Sequence, residues 1–258
     1  MEDLVLYEVI DRVGYITLNR PEKRNALSFD FVARIKQKLL MAEQDQNCKV
    51  IVIKANGEAF CSGADLGSLQ KLQSNTFEEN LDDSKHLAEL YEMIYRSPKI
   101  IISRIEGAAY AGGCGLATIC DFAFATNNSK FAYTEVKIGF IPAIVLVYLL
   151  RQVGDKVARM VLLTGDSFDA NKALQYNLIN GIYDPIMIEE EVHAFAVRLC
   201  KQTSSQSLAS TKEMLTKVPD MSFENAIAYA VHMNAQTRAS ADCKKGIAAF
   251  LSKEKLTW

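Results

Sequence analysis

A glycine-rich corner at residues 107–117 has the pattern with the clearest chemical potential. Its sequence, GAAYAGGCGLA, follows an apolar strand pattern at 100–105 and leads into helical spacing. Glycines let a backbone approach a ligand closely, and the free N–H groups at a helix start favour an oxygen that carries negative charge. The spacing fits neither GxGxxG nor GxxxxGK[ST]. The corner is therefore either an oxyanion site or a place where a strand and a helix pack closely.

A second corner of small residues, Ser62-Gly63-Ala64, also follows a predicted strand. If it lies beside Ala111-Gly112-Gly113, the backbone N–H groups of the two corners form a paired oxyanion hole. Removing one donor from such a pair typically slows a reaction ~10²–10³-fold.

Glu135 is the first candidate for an acid or base, because it lies in a largely apolar stretch next to a glycine and a proline. Partial burial would raise its pKa and suit it to proton transfer. The alternative is a glutamate at a strand edge, paired with Lys137 or Lys130.

Other polar residues favour structural roles. Asp65 and Asp121 follow corners or strands, where aspartate commonly caps a helix. Ser62 lacks the GxSxG context, and no histidine has a recognisable partner, so the pattern does not favour a Ser-His-Asp hydrolase. Tyr110 is expected to pack rather than react.

The amino-acid composition and net charge exclude several classes of binding partner. The 258 residues are 49% hydrophobic with a net charge of −2, which predicts one or two domains with a sizeable core and no broad basic face. Nucleic acid and membranes are therefore not expected as partners. The six cysteines lack a C-x-x-C pair, so no metal is expected, and the N-terminus lacks a signal-peptide pattern. We expect a soluble cytoplasmic protein.

The order of elements predicts a mixed α/β fold followed by helices. Strand patterns at 4–9 and 13–18 form an opening hairpin, and Ser28 begins a helix that runs to about Gln44. Residues 67–83 are polar with weak periodicity, which predicts a mobile loop or lid. A strand is expected over 130–138. From Pro185 onward the pattern is helical, and the composition changes near residue 195.

An ordered series of motifs resembles the enoyl-CoA hydratase/isomerase (crotonase) family. Each motif is weak alone, but their order covers nearly the whole chain. In sequence they are Asn19-Arg20-Pro21, Asn25-Ala26-Leu27, Ala59 to Leu66, Gly107 to Leu116, Cys120-Asp121, Phe131 to Pro142, Leu163 to Asp166 and Gly246 to Leu251.

The resemblance implies an α/β fold in which strand-strand-helix (ββα) units form a spiral with two roughly perpendicular sheets. Residues 1–195 would form this core with the acyl-CoA site, and residues 196–258 a helical trimerisation region. The partners implied are an acyl-CoA thioester and further copies of the chain, as a homotrimer or a dimer of trimers. No cofactor is implied beyond the CoA carried by the substrate.

The resemblance also assigns residues to the site. Ala64 and Gly112 would donate their N–H groups to the thioester carbonyl, with Glu135 as the general acid or base. Arg24 is a candidate contact for the CoA phosphates. The remaining candidates for substrate or CoA binding are Ala26, Ser62, Gly63, Asp65 and Gly113.

One departure from the family pattern bears on mechanism. Family hydratases typically use a second glutamate at the position of Gly115, and glycine cannot transfer a proton. Glu135 alone could still support hydration of a 2-enoyl-CoA or conversion of a 3-enoyl-CoA to its 2-enoyl isomer. Asp65 or Tyr110 could supply a substitute group. A non-catalytic acyl-CoA-binding subunit is a third alternative.

Hydration is the preferred expectation. The segments Thr134-Glu135-Val136-Lys137-Ile138-Gly139 and Pro142-Ala143-Ile144 are similar to those of hydratases resembling the ones that act on 3-methylglutaconyl-CoA in leucine breakdown. A branched or carboxylated acyl group is therefore expected as substrate, and a free carboxylate would require an Arg or Lys that the sequence does not identify.

Overall fold

The computed structural model describes residues 3–258, and within them the strands form two sheets. The strands are β1 (Val5–Ile10), β2 (Val13–Leu18), β3 (Val50–Ala55), β4 (Ala59–Cys61), β5 (Ile100–Ile105), β6 (Ala108–Tyr110), β7 (Phe122–Thr126), β8 (Lys130–Ala132), β9 (Phe168–Asp169) and β10 (Gly181–Tyr183). The larger sheet has six strands in the order β1-β2-β3-β5-β7-β10, and the smaller has four in the order β4-β6-β8-β9.

Ten α-helices lie in the same described range, and the last four follow one another without an intervening strand. They are α1 (Phe29–Gln44), α2 (Leu66–Leu72), α3 (Phe77–Arg96), α4 (Gly112–Thr118), α5 (Ala143–Thr164), α6 (Ala170–Gln175), α7 (Ile188–Gln202), α8 (Ser205–Lys217), α9 (Phe223–Ala239) and α10 (Ala241–Ser252). The mixed α/β fold with a helical C-terminal part is as predicted.

The core lies on both faces of the larger sheet. In β3 the side chains of Ile51 and Ile53 join the cluster that includes α1, whereas Val50 and Val52 join the cluster that includes α7. Successive side chains of a strand point to opposite faces, so this run of apolar residues is what a parallel strand covered on both sides requires.

Helix α7 crosses the domain boundary expected at residue 195. Its buried residues Ile188, Val192, Ala196 and Cys200 pack on the larger sheet. The division into residues 1–195 and 196–258 stays a prediction.

The predicted loop or lid over residues 67–83 is wrong, because most of this stretch is helical. Asp65 caps α2 by accepting from the N–H groups of Gly67 and Ser68. Thr76 and Glu79 form a reciprocal capping box at the start of α3. These caps satisfy first-turn donors that a weakly amphipathic sequence would otherwise leave to water.

The strand expected over residues 130–138 is also too long. Strand β8 ends at Ala132, and a short 3₁₀ turn spans Glu135–Ile138. Gly139 ends this turn in the left-handed conformation, with φ 76°. Glu135 therefore begins a turn instead of lying at a strand edge.

Candidate active site

The smaller sheet brings together the three segments that sequence analysis singled out. Strands β4, β6 and β8 are adjacent and parallel. Their carboxyl ends lead into Ser62-Gly63-Ala64, Ala111-Gly112-Gly113 and the turn that starts at Glu135. Since parallel neighbours end at the same edge of a sheet, the topology places all three segments at one edge.

The two small-residue corners are in direct contact. A Cβ atom at Gly63 would come within 2.9 Å of both the Ala111 Cβ and the Tyr110 carbonyl oxygen. A Cβ at Gly113 would overlap the carbonyl of Cys61. Both glycines are therefore required by the close approach of the two chain segments, so the packing and ligand-binding explanations of these residues coexist.

The Ala64 N–H is left free by the pairing of its neighbours. The N–H of Leu27 donates to the Gly63 carbonyl, and the Asp65 N–H donates to the Leu27 carbonyl. Leu27 and Ala64 form an isolated parallel bridge, and Ala64 lies between these two bonds, so its own N–H points away from Leu27. Within residues 3–258 it donates to no protein acceptor.

The Gly112 N–H also has no acceptor in the described part of the chain, for a different reason. Gly112 is the first residue of α4, where N–H groups have no partner inside the helix. Ala111 precedes it with φ 49° and ψ −129°, a conformation that L-residues rarely adopt and that costs of order 1–3 kcal/mol. This residue turns the chain from strand into helix in one step. Both corners are thus able to donate to an approaching oxygen.

Glu135 is a buried carboxyl group with 9% of its surface exposed. Among residues 3–258, its Oε2 has no hydrogen-bond partner. Burial raises the pKa of Glu135 above its ordinary value, opposed by a backbone hydrogen bond. Lys137 pairs instead with Asp166, at 3.0 Å. The alternative of a glutamate paired with Lys137 is therefore wrong, and the group is suited to exchange a proton.

The position where family hydratases carry the second glutamate has no room for a side chain. A Cβ atom at Gly115 would overlap Cγ1 of Val145 and lie 3.3 Å from the Tyr91 hydroxyl. A cavity of about 10 Å³ adjoins it, between α3, α4 and α5, about enough for one water molecule. The space beside Gly115 is thus a mostly apolar slot, which the Val145 side chain fills next to this cavity.

The residues predicted to contact CoA lie in or beside the loop before α1. Arg24 is exposed and has φ 50°, and Ala26 is buried. Ser62, half-buried, donates its N–H to the Arg24 carbonyl at 3.0 Å. Their contact with CoA stays a prediction, as does that of Gly63 and Gly113.

Asp65 has structural partners of its own. Besides capping α2, its carboxylate accepts from Arg20 Nη1 at 2.8 Å. Arg20 and the α2 N–H groups hold the pKa of Asp65 below its usual range despite partial burial. This carboxylate is committed to the loop, which weighs against Asp65 as a substitute for the missing glutamate.

Asp121 does not cap a helix. Its Oδ2 accepts from the Ile101 N–H and from Lys212 Nζ, both at 2.7 Å. The expectation of an N-cap is wrong here because the residue leads into β7 instead of α-helix.

Sequence analysis missed three residues that organise the site. Asn25 is fully buried and bonds to Arg20, Asn56 and Ala59, which fixes the loop before α1. Tyr91 donates its hydroxyl to the Gly112 carbonyl, and Val145 fills the slot at Gly115. Only Asn25 lies in a motif noted from the sequence.

Within residues 3–258, no group of three or more His, Cys, Asp or Glu side chains is arranged to hold a metal ion. None of the described helices combines the length and the apolar character needed to cross a bilayer.

Comparisons with known proteins show the family to which the chain belongs. The sequence model of the enoyl-CoA hydratase/isomerase family matches residues 8–258. A Thermus thermophilus protein provisionally named as an enoyl-CoA hydratase is 39% identical over 241 residues, 93% of this chain and 95% of that protein. The (E)-benzylidenesuccinyl-CoA hydratase of Thauera aromatica is 30% identical, covering 95% of each.

The fold comparison gives the same result. The crystal structure of an enoyl-CoA hydratase from Shewanella pealeana matches with a TM-score of 0.93 and 32% identity, covering 99% of this chain and 96% of that one. The chain belongs to the enoyl-CoA hydratase/isomerase (crotonase) family.

Proposed function

We propose that this protein adds water across the double bond of a 2-enoyl-CoA thioester, using Glu135 as the only carboxylate. The observation that carries the proposal is the buried, unpaired Oε2 of Glu135 at the sheet edge that also holds the free N–H groups of Ala64 and Gly112. A proton-transfer group and two oxyanion donors are what addition to a conjugated thioester requires.

The steps follow from these groups. The thioester oxygen accepts hydrogen bonds from the Ala64 and Gly112 N–H groups, which withdraws electrons from C3. Glu135 takes a proton from water as the oxygen attacks C3, and the enolate charge collects on the bonded oxygen. Glu135 then returns the proton to C2. No metal or redox cofactor takes part in these steps.

A single carboxylate is consistent with the filled slot at Gly115. Val145 occupies the space into which a side chain at 115 would extend. One group can both remove and return a proton because the steps are sequential, and the raised pKa of Glu135 favours its protonated state between them.

The presence of one carboxylate beside an apolar slot also favours a second candidate function, double-bond isomerisation. Moving a proton from C2 to C4 of a 3-enoyl-CoA needs one base and an oxyanion hole, with no water. The apolar Val145 beside the site suits that isomerase reaction as well. A protein that only binds acyl-CoA is the alternative from another class.

One assay separates the three functions. The purified protein is incubated with 2-enoyl-CoAs and with 3-enoyl-CoAs, and water addition and double-bond migration are followed separately. Hydration without migration supports the proposal, and migration alone supports the isomerase. If acyl-CoA binds without any reaction, the protein is a binding subunit.

Glu135→Gln tests the base. We expect it to lower turnover by about 10²–10⁴-fold, the usual contribution of a positioned acid or base. Glu92→Gln is the matched control, because Glu92 is an exposed carboxylate on α3 paired with Arg96. Full turnover in Glu135→Gln would refute the assignment.

A branched or carboxylated acyl group is the proposed substrate class. The motif similarity around Glu135 supports it, and one relative is named for a thioester of a substituted succinate. Comparing 3-methylglutaconyl-CoA with 3-methylcrotonyl-CoA tests the carboxylate alone, since the two acyl groups are otherwise alike. Equal kcat/KM for the pair would contradict recognition of a carboxylate.

Assembly as a homotrimer or a dimer of trimers is proposed as well. Helix α9 has no buried residue in the single chain, yet it exposes Phe223, Ile227 and Val231 at intervals of four. Such a stripe normally lies against another chain. Light scattering should give three or six times 28.7 kDa, and Val231→Asp should lower that mass. A monomeric wild type would refute the assembly.

A further inference from the structure

We propose that Tyr91 is a positioning residue for the oxyanion hole: its hydroxyl holds the Gly112 carbonyl, and thereby fixes the backbone on both sides of the Gly112 Cα, so that the N–H of Gly112 faces the substrate oxygen. The inference rests on the proposed function, because it assigns Tyr91 a task in the same site. Tyr91 would act through Gly112 and would not touch substrate.

The geometry places the Tyr91 hydroxyl directly beneath the corner. Tyr91 lies on α3, is fully buried and donates to the Gly112 carbonyl oxygen at 2.6 Å. Its oxygen would be 3.2 Å from a Cβ at Gly112 and 3.3 Å from a Cβ at Gly115. A tyrosine hydroxyl can be this close because neither residue has a side chain.

The backbone of residues 111–113 is weakly restrained by its own interactions, so a contact from another element is needed to fix it. Ala111 has a strained backbone, and Gly112 and Gly113 lack the Cβ atoms that restrict a chain. Helix α4 has seven residues, so few intrahelical bonds resist rotation of its first turn. Within residues 3–258, the Tyr91 bond is the only side-chain hydrogen bond to residues 111–113.

The charge state of Tyr91 suits a permanent donor. Burial, with a smaller contribution from Glu135, raises the pKa of Tyr91 well above its ordinary value. The hydroxyl therefore stays protonated wherever the enzyme can be assayed. Since the side chain has no exposed area, proton transfer to a substrate is excluded and positioning is the role that fits.

The neighbouring Tyr148 provides a matched control. It packs against Tyr91 with ring centroids 6.2 Å apart and lines the same small cavity. Its hydroxyl donates no hydrogen bond to the 111–113 corner. Tyr148→Phe thus removes a nearby hydroxyl without touching the Gly112 peptide.

The test compares Tyr91→Phe with Tyr148→Phe in the full-length protein. Acetoacetyl-CoA is the probe for the oxyanion hole: its C2 proton passes to Glu135 or solvent, and the enolate is followed by ultraviolet absorbance at saturation. Loss of one neutral hydrogen bond predicts that Tyr91→Phe lowers the enolate-to-keto ratio and kcat by about 5–10-fold. KM and the pH midpoint of turnover should stay unchanged, as should every parameter of Tyr148→Phe.

Hydrogen exchange of the free protein provides a second measurement that needs no ligand. Tyr91→Phe should speed amide exchange at residues 113–116 by about 5–10-fold, for the same hydrogen bond, with Tyr148→Phe unchanged. If Tyr91→Phe only lowers Tm and leaves both the enolate ratio and the exchange unchanged, the inference is overturned.

The two measurements also separate this inference from the proposed function. A wild type that neither hydrates nor isomerises any enoyl-CoA refutes the proposed function. Faster exchange in Tyr91→Phe then still supports Tyr91 as the residue that orders the corner, and unchanged exchange overturns it.

Discussion

The buried carboxyl group of Glu135 lowers the stability of the folded protein when it is ionised. Burial raises its pKa, so the folded protein binds a proton that the unfolded chain has already lost at the same pH. The free energy of unfolding therefore falls as pH rises from the ordinary glutamate pKa, about 4.3, to the raised value. Above that value the full cost remains.

Glu135→Gln should remove this dependence. We expect the variant to unfold at a higher temperature than wild type at neutral pH, because no charge is then buried. The difference should shrink as the pH falls through the raised pKa and vanish near pH 4. Thermal unfolding across this range measures it, and a variant less stable than wild type at pH 7 would contradict the burial cost.

Gly115 and Val145 should be energetically coupled. Gly115→Ala puts a methyl group against Val145, so we expect a loss of about 1–3 kcal/mol from overpacking. In the Val145→Ala background the same change should cost at least about 1 kcal/mol less, as expected for residues in contact. Urea unfolding of the four proteins gives the coupling.

Gly246→Ala is the control for that cycle. Its added Cβ would meet only the Trp258 ring at 3.5 Å, an ordinary contact, and a helical alanine is favoured over glycine. A neutral or stabilising effect there, with no coupling between Gly115 and Val145, would show that the slot relaxes freely.

At the level of elements, the start of α3 depends on its capping box. Thr76→Ala removes the acceptor for the Glu79 N–H and should cost about 1 kcal/mol. The exposed Ser84→Ala within the same helix should change stability by less than about 0.5 kcal/mol. Chemical denaturation compares the two, and equal effects would argue against the cap.

Elements fixed by interactions between residues close in sequence were predictable, and those that depend on long-range packing were not. The opening hairpin, α1 from Ser28 and the helical C-terminal part follow from local periodicity and caps. The Thr76-Glu79 capping box is equally local, but it was not recognised, and the polar composition of residues 67–83 led to the prediction of a loop. Weak amphipathicity there reflects a helix whose buried residues, Leu90, Tyr91 and Ile94, lie in its second half.

The site could be predicted only in part, for a related reason. The motifs gave Glu135 and the two corners, but their meeting at one edge depends on β4, β6 and β8 being neighbours. The filling of the Gly115 slot by Val145 depends on how α4 and α5 pack. Tyr91 gave no signal, because a tyrosine at helical spacing is typical of any core.

At the scale of the whole molecule, Lys212 ties the C-terminal helices to the core. From α8, its Nζ donates to the carbonyls of Ile94 and Lys99 and to the Asp121 carboxylate. The side chain is 6% exposed. Burial raises the pKa of Asp121, and the Lys212 ammonium group opposes that rise.

We therefore expect Lys212→Met to destabilise the folded protein strongly. It leaves the Asp121 carboxylate without its cation, and breaking one partner of a buried pair costs about 3–5 kcal/mol. Lys217→Met on the same helix removes a half-exposed pair with Glu213 and should cost less than about 1 kcal/mol. Similar urea midpoints for the two variants would show that α8 does not depend on this contact.

The slot at Gly115 restricts how this sequence can change over evolutionary time. A glutamate introduced at 115 while Val145 remains enters occupied space, so the first step toward two carboxylates is penalised before any catalytic gain. Trimming Val145 first opens a hole with no benefit of its own. Either order passes through a less stable intermediate, so the contact between Val145 and position 115 disfavours the gain of a second glutamate there.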